Sequence, residues 1–565
     1  MQLSYTCGTS DRPLIGDTIG NLFDQTVAKY PENEALIVKH QNIRYTYRQF
    51  QEKVNECARA LLAIGIRKGD RVGVWAPNCA EWVTVQFATA KIGAIQVNIN
   101  PSYRLHELEY ALNQSGCVCI VMATKYNISD YTEMLYELAP ELYDCQPGQL
   151  TATKLPALKT VIRLHSSSSP GMLSWDDLLS YANKVSEEEL EIAQQHLSAD
   201  EPINIQYTSG TTGYPKGATL SHHSILNNGY LVASIMRFTD KDRLVIPVPL
   251  YHCFGMVMGN LACVCFGATM IYPSEAFDPE AVLRTVEEEK ATALHGVPTM
   301  FIAQLEHPNF KQYDLTTLRT GIMAGSPCPV EVMKKVNALM NMSEVEIAYG
   351  MTETSPVSTQ TRHDAPTEKR VSTVGRVLPH TEIKIINPET GQTVLRGVKG
   401  ELCTRGYCVM LGYWNDEEKT KLAIDAARWM HTGDLAIMDE EGYLNIVGRI
   451  KDMLIRGGEN IYPREIEEFL YQHPKISDVQ VIGVPDKKYG EEVMAWIKLK
   501  EGEAATTEEI KAFCKGQITH FKIPRYIKFV DDFPMTVTGK IRKVEMRAIS
   551  IKELGLEAAA EVKMA

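Results

Sequence analysis

The sequence predicts an α/β protein: a large N-terminal region of two α/β subdomains with a small β-barrel layer, followed by a small α+β C-terminal domain. Three observations lead there. Strand-like apolar runs alternate with helical stretches over roughly the first 354 residues. From about residue 375 to 449 helical stretches are few, and short β segments joined by turns take over. After Arg449 a polar loop opens a mixed stretch of about 110 residues, a modest domain by itself. At 565 residues the chain exceeds one ordinary core and suffices for two or three domains. The expected divisions are 1–450, made of 20–200, 201–354 and 375–449, and then 451–565.

Residues 43–47 and 71–75 are strand-like and border an Ala/Leu-rich helical stretch at 50–64; a second such stretch, 82–92, leads into AIQVNINP. That alternation indicates a parallel sheet covered by helices. LHSSSSPGML, starting at Leu164, reads as a loop and the Glu-rich residues 186–196 as a solvated helix. In the next unit RLVIPVPLYH ends at His252, GATMIYP at Pro273 and TALHGVPTMF at Phe301, each a strand passing into a Pro- or Gly-rich turn. EIKIINPETG, GELCTRG and GDLAIMDEEGYLNIVGR form the β-rich layer. The last unit reads as a helix over 463–473, strands VQVIGVP and VMAWIKL, a helix over 507–514 and the strand YIKFVDDFP.

A content of 44% hydrophobic and 23% charged residues is that of a soluble globular protein, and a net charge of -12 argues against a nucleic-acid surface. No uninterrupted apolar run reaches the length of a membrane span, so no stable membrane anchor is expected. The start, MQLSYTCGTSDRP, has neither a secretory h-region nor an Arg-rich transit pattern, and a cytosolic location is expected. The thirteen cysteines are scattered; Cys117 and Cys119, like Cys263 and Cys265, sit two apart in apolar runs, unlike zinc pairs. Reduced, packed thiols are expected.

Residues 207–217 read YTSGTTGYPKG, without one aliphatic side chain. Gly210, Gly213 and Gly217 allow close approach of backbone N–H groups to an anion; Thr208, Ser209, Thr211 and Thr212 add hydroxyl donors, and Lys216 adds a positive charge. Tyr214 and Pro215 complete the run, which grows out of the strand-like NIQYT and precedes ATLSHHSIL, which can begin a helix. The pattern is that of a phosphate loop, but not Walker A: Pro215 precedes Lys216 and Gly217 follows it, so the hydroxyl expected beside magnesium is missing. Kinase HRD and DFG patterns are missing as well.

Four further segments follow in order: YGMTE at 349–353, TGD at 432–434, GRIKDMLIRGGENIYP at 448–463 and TGKIRK at 538–543. On these five the chain resembles the acyl-adenylate-forming superfamily, which spans acyl-CoA synthetases, aryl-CoA ligases, luciferases and peptide-synthetase adenylation domains, over about residues 20–550. GELCTRGYCVMLGYW at 400–414, EEIKAFCKGQITHFKIPRYIKFV at 508–530 and PLYHCFG around His252 are similar to medium-chain fatty acyl-CoA ligases of the acyl-CoA synthetase family member 2 type. Eukaryotic members of that group carry mitochondrial targeting, and a start without an evident transit sequence favours a bacterial-type soluble homologue.

The resemblance implies ATP, Mg2+, coenzyme A and a fatty acid as reactants and cofactors, with adenylation of the carboxylate followed by thiolysis. Lys540 is implied against the carboxylate and α-phosphate, where an ammonium neutralises growing charge. Thr352 is implied as a donor to the α-phosphate, Tyr349 with Gly350 beside adenine, Gly325, Ser326 and Pro327 beside the base, and Glu353 on Mg2+. Asp434 is implied on the ribose hydroxyls, Arg449 on ribose and phosphate, and Lys451 as the hinge of a mobile C-terminal domain. Gly457, Gly458 and Glu459 are implied along the tunnel for the pantetheine arm. His252 reads as a gate between acyl pocket and nucleotide, with a catalytic base and a plain core histidine as the other readings. Acyl-pocket lining is expected within 229–236, 292–301 and 320–324. An aryl or 4-coumarate-type CoA ligase is the near alternative, a nucleotide-binding scaffold without catalysis the distant one, and monomer and homodimer both stay open.

Overall fold

The structure is a computed structural model that describes residues 2–208, 215–326, 328–456, 459–515, 517–536 and 540–557. Two large sheets carry the N-terminal region. The first has eight strands in the spatial order Leu173–Ser174, Thr160–Arg163, Cys119–Met122, Arg71–Trp75, Ile95–Asn98, Pro202–Thr208, Lys216–Ser221, Gly412–Tyr413. It is parallel up to Pro202–Thr208 and antiparallel beyond. The second runs Arg376–Val377, Val357–Gln360, Glu344–Gly350, Thr320–Ala324, Ala293–Leu294, Arg243–Val245, Thr269–Tyr272, Glu34–Val38, Ile43–Thr46. Its middle is parallel and its edges antiparallel.

The sheets do not follow a division of the chain at residue 201. Ala35 to Val38 are all buried, and an apolar run of that kind needs a sheet position covered on both faces. It finds one beside Thr269–Tyr272, in the sheet of the later chain. The hairpin of Pro202–Thr208 and Lys216–Ser221 conversely extends the sheet of the earlier chain. Helix Tyr47–Ala63 starts at a capping box, Thr46 with Gln49, which satisfies two end groups reciprocally. Helix Ala80–Ile92 is buried at every residue except Glu81, so it shows no polar face for solvent. Phe50 of the first packs edge to face on Phe87 of the second and on Phe23 of helix Ile19–Lys29.

The barrel-like layer expected near 375–449 is corrected to a five-stranded antiparallel path: Tyr5–Cys7, Thr381–Ile386, Gly400–Gly406, Met430–Met438, Leu444–Arg449. One end is taken by N-terminal residues that the sequence reading left unassigned. The last unit has its own core, including Leu454, Ile466, Leu470, Val481, Val493 and Ile510. Helices Pro463–Leu470, Thr507–Cys514 and Lys543–Glu553 accompany a mixed sheet built round Ile476–Asp486 and Gly490–Leu499. All thirteen cysteines are free thiols. No described helix is long and apolar enough to cross a membrane.

Candidate active site

The hairpin places both ends of the glycine and hydroxyl run side by side, with Thr208 opposite Lys216. The segment 216–221 is therefore a strand, and the helix expected to begin there starts at His222. Ser209, Gly210, Thr211, Thr212, Gly213 and Tyr214 lie outside the described residues. The Pro215 carbonyl accepts from the Tyr110 hydroxyl at 3.1 Å. Thr208 Oγ1 donates to Glu353 Oε1 at 3.2 Å, and the Tyr413 hydroxyl donates to the same oxygen at 2.8 Å. Lys216 Nζ donates to the Tyr413 oxygen at 3.1 Å and lies 4.3 Å from its ring centre. Glu353 is 4% exposed, and both bonds come from hydroxyls; no ion pair to it occurs among the described residues. A buried carboxylate without a cationic side chain on it suits a hard divalent cation.

A second cluster forms where strands Met430–Met438 and Leu444–Arg449 pair Asp434 with Arg449. Arg449 Nε stands 3.0 Å from Asp434 Oδ1, and the Tyr349 hydroxyl donates to Oδ2 at 2.7 Å. The turn is pinned from behind: the Asp434 N–H donates to Thr432 Oγ1 at 3.1 Å, and the Gly433 N–H to Glu401 Oε1 at 3.1 Å. Burial raises the Asp434 carboxyl, against the pull of Arg449 and the Tyr349 hydroxyl. Burial also drives the Tyr349 phenol far up, with the Asp434 charge adding. On Arg449 burial acts downward, yet the negative Asp434 leaves the guanidinium raised. Each Asp434 oxygen has one protein partner, leaving acceptor capacity on both for further hydroxyls.

Strand Glu344–Gly350 delivers Tyr349 and ends at Gly350, where a Cβ would fall 1.8 Å from the Pro356 carbonyl oxygen. Thr352 and Glu353 follow in a buried one-turn segment, Thr352–Thr354. Gly325 takes a φ of +91° after strand Thr320–Ala324, and a Cβ there would meet Lys540 Cε at 3.7 Å. The Ser326 carbonyl accepts from the Cys328 thiol at 3.5 Å, and Pro327 lies outside the described residues.

Lys540 and His252 meet across 288 positions of sequence, Nζ standing 3.4 Å from Nε2. His252 Nδ1 accepts the Phe254 N–H at 3.2 Å, so the neutral ring carries its proton on Nε2. Two N–H donors thus lie 3.4 Å apart, close enough for one oxygen anion beside them to accept from both. Burial, and then the Lys540 charge, hold His252 well below the usual histidine range. Burial, followed by Arg449, lowers the Lys540 ammonium. The neighbouring Cys253 thiol is pushed up to about 12 by burial, which makes it a poor nucleophile. Its segment is held on two sides: Gln206 Oε1 accepts from the Cys253 N–H at 3.0 Å, and Asn98 Nδ2 donates to the Tyr251 carbonyl at 2.9 Å.

The backbone of Lys451 lies in the short turn Ile450–Asp452, directly after Arg449, and its side chain is outside the described part. Gly457 and Gly458 are outside it too, and Glu459 is described only as backbone of strand Glu459–Ile461. Sequence reading missed Tyr413, Gln206 and Asn98. Tyr413 stood in a quoted segment without a role. For the amides the signal was the polar alternation of Gln96 with Asn98 and Asn204 with Gln206 inside buried strands.

The family model described as AMP-binding enzyme matches residues 23–414, and that of the AMP-binding enzyme C-terminal domain matches residues 465–540. The chain is 55% identical to a putative acyl-CoA synthetase, YngI, of Bacillus subtilis, over 96% of this chain and 99% of that protein. It is 48% identical to the medium-chain acyl-CoA ligase ACSF2, mitochondrial, of Danio rerio, over 98% of this chain and 91% of that protein. Among solved structures, an anthranilate CoA ligase, AuaEII, in complex with anthranoyl-AMP superposes with a TM-score of 0.84 at 26% identity, covering 97% of this chain and 99% of that one. The cytosolic location expected from the first residues is corrected by the ACSF2 relatives, whose names place them in mitochondria.

Proposed function

The chain belongs to the family of AMP-binding enzymes, and on that premise we propose that it is an ATP-dependent ligase joining a medium-chain fatty acid to coenzyme A through an acyl-adenylate. In the first step a carboxylate oxygen bonds to the α-phosphorus of ATP while the bond to the bridging oxygen breaks and pyrophosphate leaves. In the second the coenzyme A sulfur, having lost its proton, bonds to the acyl carbonyl carbon and AMP leaves. Identities of 45–48% to medium-chain acyl-CoA ligases over nearly the whole chain support the substrate class.

The observation that carries this reading is the convergence of Lys540 and His252, 288 positions apart in the chain, beside Thr352 and Glu353. Lys540 and the His252 Nε2–H hold the carboxylate oxygen, and Thr352 donates to the α-phosphate. Asp434 accepts from the ribose hydroxyls and Tyr349 flanks the base, while Arg449 orients Asp434 and meets the phosphate side. Thr208, Lys216 and the loop between them take the outer phosphates. Glu353 would hold Mg2+, which screens phosphate charge when bound; a buried carboxylate bonded only by hydroxyls fits that ion. Residues 451–565 then turn about Lys451 to withdraw Lys540 and admit the thiol, since one face of the carbonyl cannot take both groups at once.

The test is product analysis with ATP, coenzyme A and acids of increasing length. AMP, pyrophosphate and an acyl-CoA, with a maximum near octanoate, are expected. Release of ADP would overturn the mechanism, and benzoate turning over faster than octanoate would move the substrate to the aryl class.

A further inference from the structure

Strand Gly400–Gly406 and strand Met430–Met438 pair Cys403 directly with His431, and Glu401, two residues before Cys403, shares its face of the strand. His431 Nδ1 lies 3.1 Å from Glu401 Oε2 and 3.7 Å from Cys403 Sγ, and the three ligand atoms all lie within 4.8 Å of one another. It is the one group of three potential metal ligands found among the described residues. We propose that Glu401, Cys403 and His431 form a second metal site, distinct from the magnesium position at Glu353, for a divalent cation of the zinc type.

The donor set decides the class of ion. A thiolate, an imidazole and a carboxylate suit a borderline-soft cation and are poor company for magnesium or calcium. Tetrahedral zinc with its usual bond lengths sets N, O and S ligands about 3.3 to 3.6 Å apart. The 3.1 and 3.7 Å separations bracket that range, so the histidine needs shifts of only a few tenths of an ångström, while the thiol and the carboxylate, within 4.8 Å of each other, close by up to about an ångström. The outer shell is present as well. Asp425 Oδ2 stands 3.8 Å from His431 Nε2, on the side away from the cluster, where a metal-bound histidine finds a carboxylate to orient it. Glu401 keeps its other oxygen on the Gly433 N–H at 3.1 Å.

Two carboxylates, Glu401 and Asp425, stand at the cluster; Lys384 is the ammonium near Cys403, and the Arg405 guanidinium, bonded to Glu382 at 2.7 Å, also lies near Asp425. The side chains of His431 and Asp425 are 31% and 35% exposed and give the ion a way in; the fourth position falls to water. On binding, the Cys403 Sγ–H proton and the His431 Nδ1 proton leave to solvent and the freed electron pairs bond the metal. Bound there, the ion ties together two strands immediately behind the turn that carries Asp434.

Cobalt(II) is the probe. Titrated into the chelator-treated chain without nucleotide, it should bind at one equivalent with a thiolate-to-cobalt charge-transfer band. Cys403→Ser should abolish the band, His431→Gln should weaken binding at least tenfold, and Glu353→Gln should leave both unchanged. Zinc should raise the thermal midpoint of the unaltered chain by a few degrees and leave that of Cys403→Ser where it was. A chain that gives no band, or a band that survives Cys403→Ser, refutes the site. Should Cys403→Ser fail to fold, unchanged cobalt affinity in His431→Gln refutes it instead. None of these outcomes bears on the ligase reaction.

Discussion

Replacing Lys540 by alanine should separate the two proposed half-reactions. The Lys540 backbone is tied to Thr536: the Lys540 N–H donates to Thr536 Oγ1 at 3.1 Å, and the Thr536 N–H donates to the Lys540 carbonyl at 2.7 Å. Neither bond needs the lysine side chain, so the variant keeps both. What disappears is one of the two donors, leaving the His252 Nε2–H alone at the carboxylate. Loss of one preorganised donor of this kind costs about 10²- to 10³-fold, or roughly 2.7–4 kcal/mol. The upper end applies here, because the removed donor is an ammonium in a half-buried setting, where its charge is less screened than at the surface. Pyrophosphate release from ATP and octanoate should therefore fall by about three orders of magnitude. Octanoyl-CoA formation from supplied octanoyl-AMP and coenzyme A should fall less than about threefold, on the view that the lysine has left the site by then. Equal losses in both assays, at an unchanged thermal midpoint, would refute the reasoning.

Tyr349→Phe keeps the ring but removes the 2.7 Å bond to Asp434, a bond to a charged acceptor worth about 1.5–3 kcal/mol; the KM for ATP should rise at least tenfold with kcat changed less. Tyr413→Phe takes one hydroxyl from Glu353 and the partner of Lys216, so the magnesium concentration for half-maximal rate should shift at fixed ATP, and an unchanged curve would remove Tyr413 from the site. Buried His222 accepts the Ile19 N–H at 3.2 Å, and burial lowers it from 6.5 to about 4. The unfolded chain therefore binds a proton there that the fold refuses. Stability is full above pH 6.5 and declines towards pH 4, by about 3 kcal/mol from this residue. His222→Gln should flatten that part of the profile of thermal midpoint against pH.

What could be read from the sequence was chemistry carried by consecutive residues. Gly350 before Thr352 and Glu353 is fixed by its neighbours, since a side chain at Gly350 would strike Pro356 six residues on. Groups that act through pairing were not legible. Asp434 and Arg449 were named separately, but their bond depends on the register of two strands, and register is set jointly by both. The same holds for the sheet that takes up Ala35 to Val38 and for the N-terminal strand Tyr5–Cys7: an apolar or alternating run states that an edge will be covered without stating by what.

Cys403 shows how such pairing changes a residue's meaning. Within GELCTRG it is one thiol among thirteen, and local spacing argues against metal. Strand pairing sets it opposite His431, and the two-residue period of its own strand adds Glu401, giving three ligand types from a 31-residue span whose spacing fits no local pattern. The Glu401 carboxylate bridges the two features, one oxygen on the Gly433 N–H and the other on the His431 ring. A cation there would act on the nucleotide side only through the backbone of Thr432 to Asp434. That predicts a metal effect on ATP affinity that disappears with Cys403→Ser, while the lysine-dependent step at Lys540 keeps its rate.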